Sequence, residues 1–134
     1  MESLILNFSS HTPYVNFDHI SGIMNIKGRS IPDQPDLFWN PILSWFDSYI
    51  ANPAEKTIVV INLEYFNISS SKRILFLLYK LNELSENGFE VKVEWFYREA
   101  DEDMYEVGQD YAYMVKVPFE FKIFEDSDLF SSIQ

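Results

Sequence analysis

Cysteine is absent from the 134 residues, so disulfides and thiolate chemistry are excluded. Histidine is nearly absent. His11 and His19 are the only two, and neither has a metal-type partner at helical spacing. No apolar run approaches the ~20 residues needed to span a bilayer. The N-terminus lacks the basic stretch and apolar run of a secretory signal. A cytoplasmic protein without membrane insertion is the expectation. Basic residues are also scarce: ten Lys and Arg stand against twenty-one Asp and Glu, for a formal charge of −11. A field of that sign repels nucleic acid and anionic membranes, and better fits a protein partner with a basic patch. No P-loop, G-x-G-x-x-G or G-x-S-x-G motif occurs. The acidic cluster Glu99, Asp101, Glu102, Asp103 and Glu106 lacks the ligand order and glycine of an EF-hand. It reads as a solvated helix start, favoured by the helix dipole. Neither enzyme activity, nor a metal, nor a cofactor is expected.

What the chain does contain is apolar and aromatic: 47% hydrophobic and 17% aromatic residues, enough for one globular domain over 1–134. Its organising stretch runs from Thr57 to Leu84. Thr57–Phe66 is dense in β-branched and aromatic residues, as a strand is. Leucines at three- and four-residue spacing then predict a helix. Ser69, Ser70 and Ser71 lie between the two, placed to cap that helix. A helix start offers unpaired N–H groups and positive potential, so it can hold an anion, including phosphate on one of its own serines. At 100° per residue, Ile74, Leu77, Leu78, Leu81 and Leu84 form the core face. Lys72, Phe76, Tyr79, Lys80 and Glu83 form the opposite one. Ser69 points with the outer set and Ser70 with the core set. Lys72 and Arg73 follow Ser69 by three and four residues, close enough to neighbour its side chain.

The rest of the chain alternates strands and helices. Leu4–Leu6 is either a lead-in or an extra strand. Tyr14–Phe17 and Ile23–Arg29 suggest a hairpin turning at His19–Gly22. Phe38, Trp39, Ile42, Trp45, Phe46, Tyr49 and Ile50 fall on one side of a helix. Its regular part is expected from about Asn40, with Pro41 early. Glu90–Tyr97 alternates cleanly. Asp101 can cap a third helix, whose inner stripe is Met104, Val107, Gly108, Tyr111 and Val115. Phe119–Ile123 makes a last strand, and the tail from 126 to 134 is expected to be loose. In the central strand Val59, Ile61, Leu63 and Tyr65 oppose Asn62 and Glu64. A sheet covered on both faces would read as continuous apolar runs. The expectation is therefore an α/β fold: a mixed sheet of four to six strands with about three helices mainly on one face.

Gly28-Arg29-Ser30-Ile31-Pro32, Pro41-Ile42-Leu43-Ser44-Trp45-Phe46, Leu63-Glu64-Tyr65-Phe66-Asn67 with Ser69-Ser70-Ser71-Lys72, Val93-Glu94-Trp95-Phe96-Tyr97, Asp101-Glu102-Asp103-Met104 and Pro118-Phe119 occur in this order. Together these segments resemble the SiaC family of bacterial regulatory phosphoproteins. The resemblance extends from about Tyr14 to Phe121. It implies a STAS-like fold similar to anti-sigma factor antagonists. It also implies a non-enzymatic adaptor that binds a partner, characteristically a diguanylate cyclase, with a kinase and a phosphatase controlling docking through a hydroxyl at the strand-to-helix junction. The family pattern there is Asn-Thr-Ser-Ser with threonine as acceptor. This chain has Ile68 at that place, and isoleucine cannot be phosphorylated. Ser69 is the nearest replacement and Ser70 the second candidate, with Asn67, Ser71, Lys72 and Arg73 around the phosphate. Tyr65, Ile68, Phe76, Tyr79 and Lys80 are the expected partner-binding residues. The alternative is a small-molecule or lipid-binding domain with a pocket lined by Trp39, Trp45 or Trp95.

Overall fold

The computed structural model describes residues 1–125, so the tail from 126 to 134 lies outside them. Six strands, β1 (Leu4–Leu6), β2 (Tyr14–Asp18), β3 (Ile23–Ser30), β4 (Lys56–Phe66), β5 (Glu90–Tyr97) and β6 (Phe119–Ile123), lie in one sheet in chain order. The first three pair antiparallel, and β3 through β6 run parallel. Helices α1 (Pro35–Ala51), α2 (Ile68–Glu86) and α3 (Glu102–Met114) make the three parallel crossovers. Right-handed crossovers that always step to the next strand on the same side must place every helix on one face. The expected one-sided mixed sheet follows from that rule, and the undecided Leu4–Leu6 segment is its edge strand.

The core fills the space between sheet and helices. Val15, Phe17, Met24, Ile26, Val59, Ile61, Val93 and Trp95 meet Trp39, Ile42, Phe46, Ile74, Leu77 and Leu81, all buried. At about 25 cal/mol per Å² of apolar surface, this burial is the main stabilising term. The far face carries a lattice of ion pairs instead. Lys92 lies 2.9 Å from Glu120 and 3.2 Å from Glu94, and Lys122 lies 3.3 Å from Glu94. Glu120 and Glu94, in that order, hold the Lys92 ammonium above its ordinary range, and Lys92 foremost lowers Glu120.

Two glycines are dictated by contact. Gly22 turns the β2–β3 hairpin at φ 76°, and a Cβ there would sit 2.1 Å from the Lys56 carbonyl oxygen. Gly108 on α3 lies against the Trp95 indole, which a Cβ would approach to 2.5 Å. Trp95 Nε1 donates to the Met104 carbonyl at 3.0 Å across the same contact.

Helix α1 differs from expectation. It begins at Pro35, not near Asn40, and Pro41 lies inside it. Proline fits the first helical turn, and Pro35 already occupies that place. Pro41 has no N–H to offer the carbonyl of Leu37, a residue largely open to water.

Candidate functional site

The central strand β4 does not run straight into α2. Its register with β3 is regular to Gly28↔Leu63, then shifts, so that Arg29 faces Tyr65 and Ser30 faces Phe66. Glu64 is the extra residue of a bulge, and a bulge reverses which face the following side chains take. Phe66 therefore turns inward, its ring 6.3 Å from that of Trp95. Tyr65 turns outward and is 51% exposed. Sequence alternation had grouped Tyr65 with Val59, Ile61 and Leu63; the bulge separates it from them.

The serines do not cap α2 as expected. Asn67 is the N-cap: its Oδ1 accepts from the Ser70 N–H at 3.0 Å and from the Ser69 hydroxyl at 2.9 Å. Ile68 is the first helical residue and stands 77% exposed. The three serines then have three environments. Ser69 is half-buried, and among the described residues its side chain hydrogen-bonds only to Asn67. Ser70 is sealed: its hydroxyl lies 2.7 Å from that of Ser30 and donates to the Ser30 carbonyl at 3.0 Å. The Asn67 N–H reaches the same carbonyl at 3.1 Å, so Ser30 locks the end of β3 to the start of α2. Ser71 donates back to the Ile68 carbonyl at 2.9 Å. Ser70, the second acceptor candidate, is thus completely buried at this latch, whereas Ser69 is half-buried.

The two cations following Ser69 divide. Arg73 bridges from the Ser69 carbonyl, at 3.1 Å, to the Asp36 carboxylate of α1. Lys72 is exposed and has no carboxylate partner among the described residues. Lys80 is half-buried and paired with Asp47 of α1, so it links the two helices. On the other flank of α2, Tyr111 of α3 donates its hydroxyl to the Ser71 carbonyl at 2.9 Å. Burial pushes the Tyr111 phenol up to about 12.

Between those flanks α2 presents its outer stripe: Ile68, Lys72, Phe76 and Tyr79. Phe76 is 52% and Tyr79 45% exposed. Ser69 borders this stripe on the side facing α1, where Arg73 and Lys80 pair with Asp36 and Asp47. Tyr65, the β3 partner of Arg29, takes the sheet face opposite to that of Phe66. A groove of about 240 Å³ opens beside Tyr65, with Phe66, Val107, Asp101 and Asp103 in its walls. The acidic α3 start is a helix cap, as expected, with Asp101 accepting from the Met104 N–H at 3.0 Å. Trp39 and Trp95 are completely buried, and Trp45 stacks on Tyr49 at 5.4 Å. The packing of Trp39 and Trp95 counts against a ligand cavity lined by either, while Trp45 lines an open surface hollow of about 550 Å³ with Pro41 and Ser44.

The one-sided mixed sheet with three helices on one face is the α/β fold class expected from the sequence, and it is compatible with a STAS-like domain. Residues 6–124 match the SiaC family of regulatory phosphoproteins, and the chain belongs to that family. An uncharacterised protein of Pseudomonas aeruginosa strain UCBPP-PA14 is 24% identical over 119 residues, covering 89% of this chain and 94% of its own. The fold is that of apo-SiaC from Pseudomonas aeruginosa, with a TM-score of 0.84 and 22% identity over 91% of this chain and 99% of that one. A chain of the crystal structure of the diguanylate cyclase SiaD in complex with its activator SiaC, also from Pseudomonas aeruginosa, gives a TM-score of 0.85 at 22% identity, covering 90% of this chain and 99% of its own.

Proposed function

We propose that this chain is a non-enzymatic cytoplasmic adaptor that docks a diguanylate cyclase through Tyr65, Ile68, Phe76 and Tyr79 and is released by phosphate on Ser69. One observation carries the reading: Ile68, Phe76 and Tyr79 stand exposed along one face of α2, the half-buried Ser69 borders that face, and Tyr65 is exposed at the end of β4. Contiguous apolar surface of this kind marks interaction sites, and aromatic residues supply most of the energy at such sites. Membership of a regulatory phosphoprotein family supports control by phosphate. The similarity of fold to SiaC, which activates SiaD, supports a diguanylate cyclase as partner. A phosphate adds about −1.5 to −2 charge and strong acceptor oxygens. At Ser69 it meets the helix N-terminus and the open Lys72, and it breaks the hydroxyl contact to Asn67. The patch edge then becomes charged and hydrated, which opposes burial under a partner. A cognate serine/threonine kinase and phosphatase set the state.

Affinity capture from the native cell, with intact-mass analysis, tests this. A diguanylate cyclase retained by the wild-type chain and lost with Phe76→Ala is the expected result, with phosphate enriched in the unbound pool. Equal recovery on both baits, or phosphate equally present in both pools, would overturn it.

A further inference from the structure

Six of the ten Lys and Arg side chains pair with carboxylates: Lys56, Arg73, Lys80, Lys92, Arg98 and Lys122. In a chain with a charge of −11, pairing is the default for a cation. Lys27 and Arg29 have no carboxylate partner among the described residues, yet they line the same cavity of about 280 Å³. It opens on the sheet face opposite the helices, under the β1–β2 connection, away from the Ser69 patch.

The walls of that cavity are complementary to a specific chemistry. Tyr14 is the direct β2 partner of Lys27, and Lys27 is the direct β3 partner of Asn62, so the three side chains form one row across the sheet. The Tyr14 oxygen accepts from the Asn16 amide at 3.1 Å, which leaves its own proton free to donate. Asn62 is 7% exposed, and its Oδ1 has no hydrogen-bond partner among the described residues. The rings of Phe8 and Tyr14 supply apolar walls. Glu64 at the rim is occupied by Arg98 at 3.3 Å. Two cations without a carboxylate partner among the described residues, and a phenol donor, face an aromatic cleft.

We propose that this cavity binds a small phosphorylated molecule with a planar ring, the phosphate held by Lys27 and Arg29 and the ring against Tyr14 and Phe8. Charge-assisted contacts to phosphate are the strong class of hydrogen bond, and an aromatic wall suits a flat ring. The cations also offset locally the repulsion that the protein's overall charge exerts on an anion.

Backbone amide NMR titration with phenyl phosphate tests the assignment, with phenol and inorganic phosphate as parallel probes. Phenyl phosphate is expected to give saturable shifts at Ser10, Gly28 and Arg29, at least about tenfold tighter than either parallel probe. The double variant Lys27→Gln, Arg29→Gln should weaken it by at least about tenfold while its spectrum stays dispersed and native-like. Absence of saturable shifts with phenyl phosphate at millimolar concentration overturns the proposal, and so does unchanged affinity in the folded double variant. Neither outcome bears on docking at Phe76, so the two proposals stand or fall separately.

Discussion

At the scale of single residues, adjacent serines have opposite roles. Ser69 and Ser70 differ by 100° around α2, and that rotation decides which is half-open and which is sealed against Ser30. Ser70→Ala leaves the buried Ser30 hydroxyl without its partner and should lower unfolding stability by about 1–3 kcal/mol in urea titration. Stability within ~0.3 kcal/mol of wild type would mean that the hydroxyl pair does not hold the helix start. Tyr111 gives a pH signature. Its phenol is pushed up to about 12 in the folded protein by burial, against 10.0 for a free tyrosine. Below pH 10 both states are protonated and the difference has no effect. Above it the unfolded chain ionises first, so stability should fall from pH 10 towards 12. Tyr111→Phe should flatten that fall relative to wild type; an identical pH profile in the two proteins would contradict it.

At the scale of elements, glycine and the bulge set geometry that side-chain pattern alone cannot. Gly108→Ala drives a methyl into the Trp95 ring and should cost about 1–3 kcal/mol, as overpacking does. A shifted tryptophan emission should accompany the loss, because the indole must leave its contact with the Met104 carbonyl. Unaltered emission and stability would mean that α3 slides away freely. The helix α3 itself was legible from sequence: Asp101 as cap, then Met104, Gly108 and Tyr111 inward, all as the spacing demanded. The outer stripe of α2 was equally legible, since a long helix with a dominant leucine face leaves little freedom of rotation. The caps and bulge were less so. Asn67 and the serines are all good N-caps, and adjacency leaves sequence no means of choosing among them. The outward turn of Tyr65 depends on a register shift against Gly28 and Arg29, residues far away in the chain. The start of α1 was misplaced because Pro35 and Pro41 each satisfy the rule for a first-turn proline. The cavity beside Lys27 and Arg29 has no sequence signal, because hairpin, edge strand and β4 must assemble before those cations share a wall.

At the scale of the whole molecule, one face is built for packing and the other for solvent. The helices cover one side of the sheet, and ion pairs dress the opposite side. The surplus of acidic residues repels polyanions and attracts a basic partner surface. Association with the proposed diguanylate cyclase partner should therefore slow several-fold as salt rises from about 50 to about 500 mM, in stopped-flow measurement, with dissociation much less affected. A salt-independent association rate would place the recognition in apolar contact alone. Calorimetric titration of that cyclase with two forms of this chain, unmodified and carrying phosphoserine at position 69, tests phosphate-controlled docking most directly. The unmodified form should bind and the phosphorylated form should bind at least about tenfold more weakly, a loss of ~1.4 kcal/mol or more. Equal affinity of the two forms would contradict it.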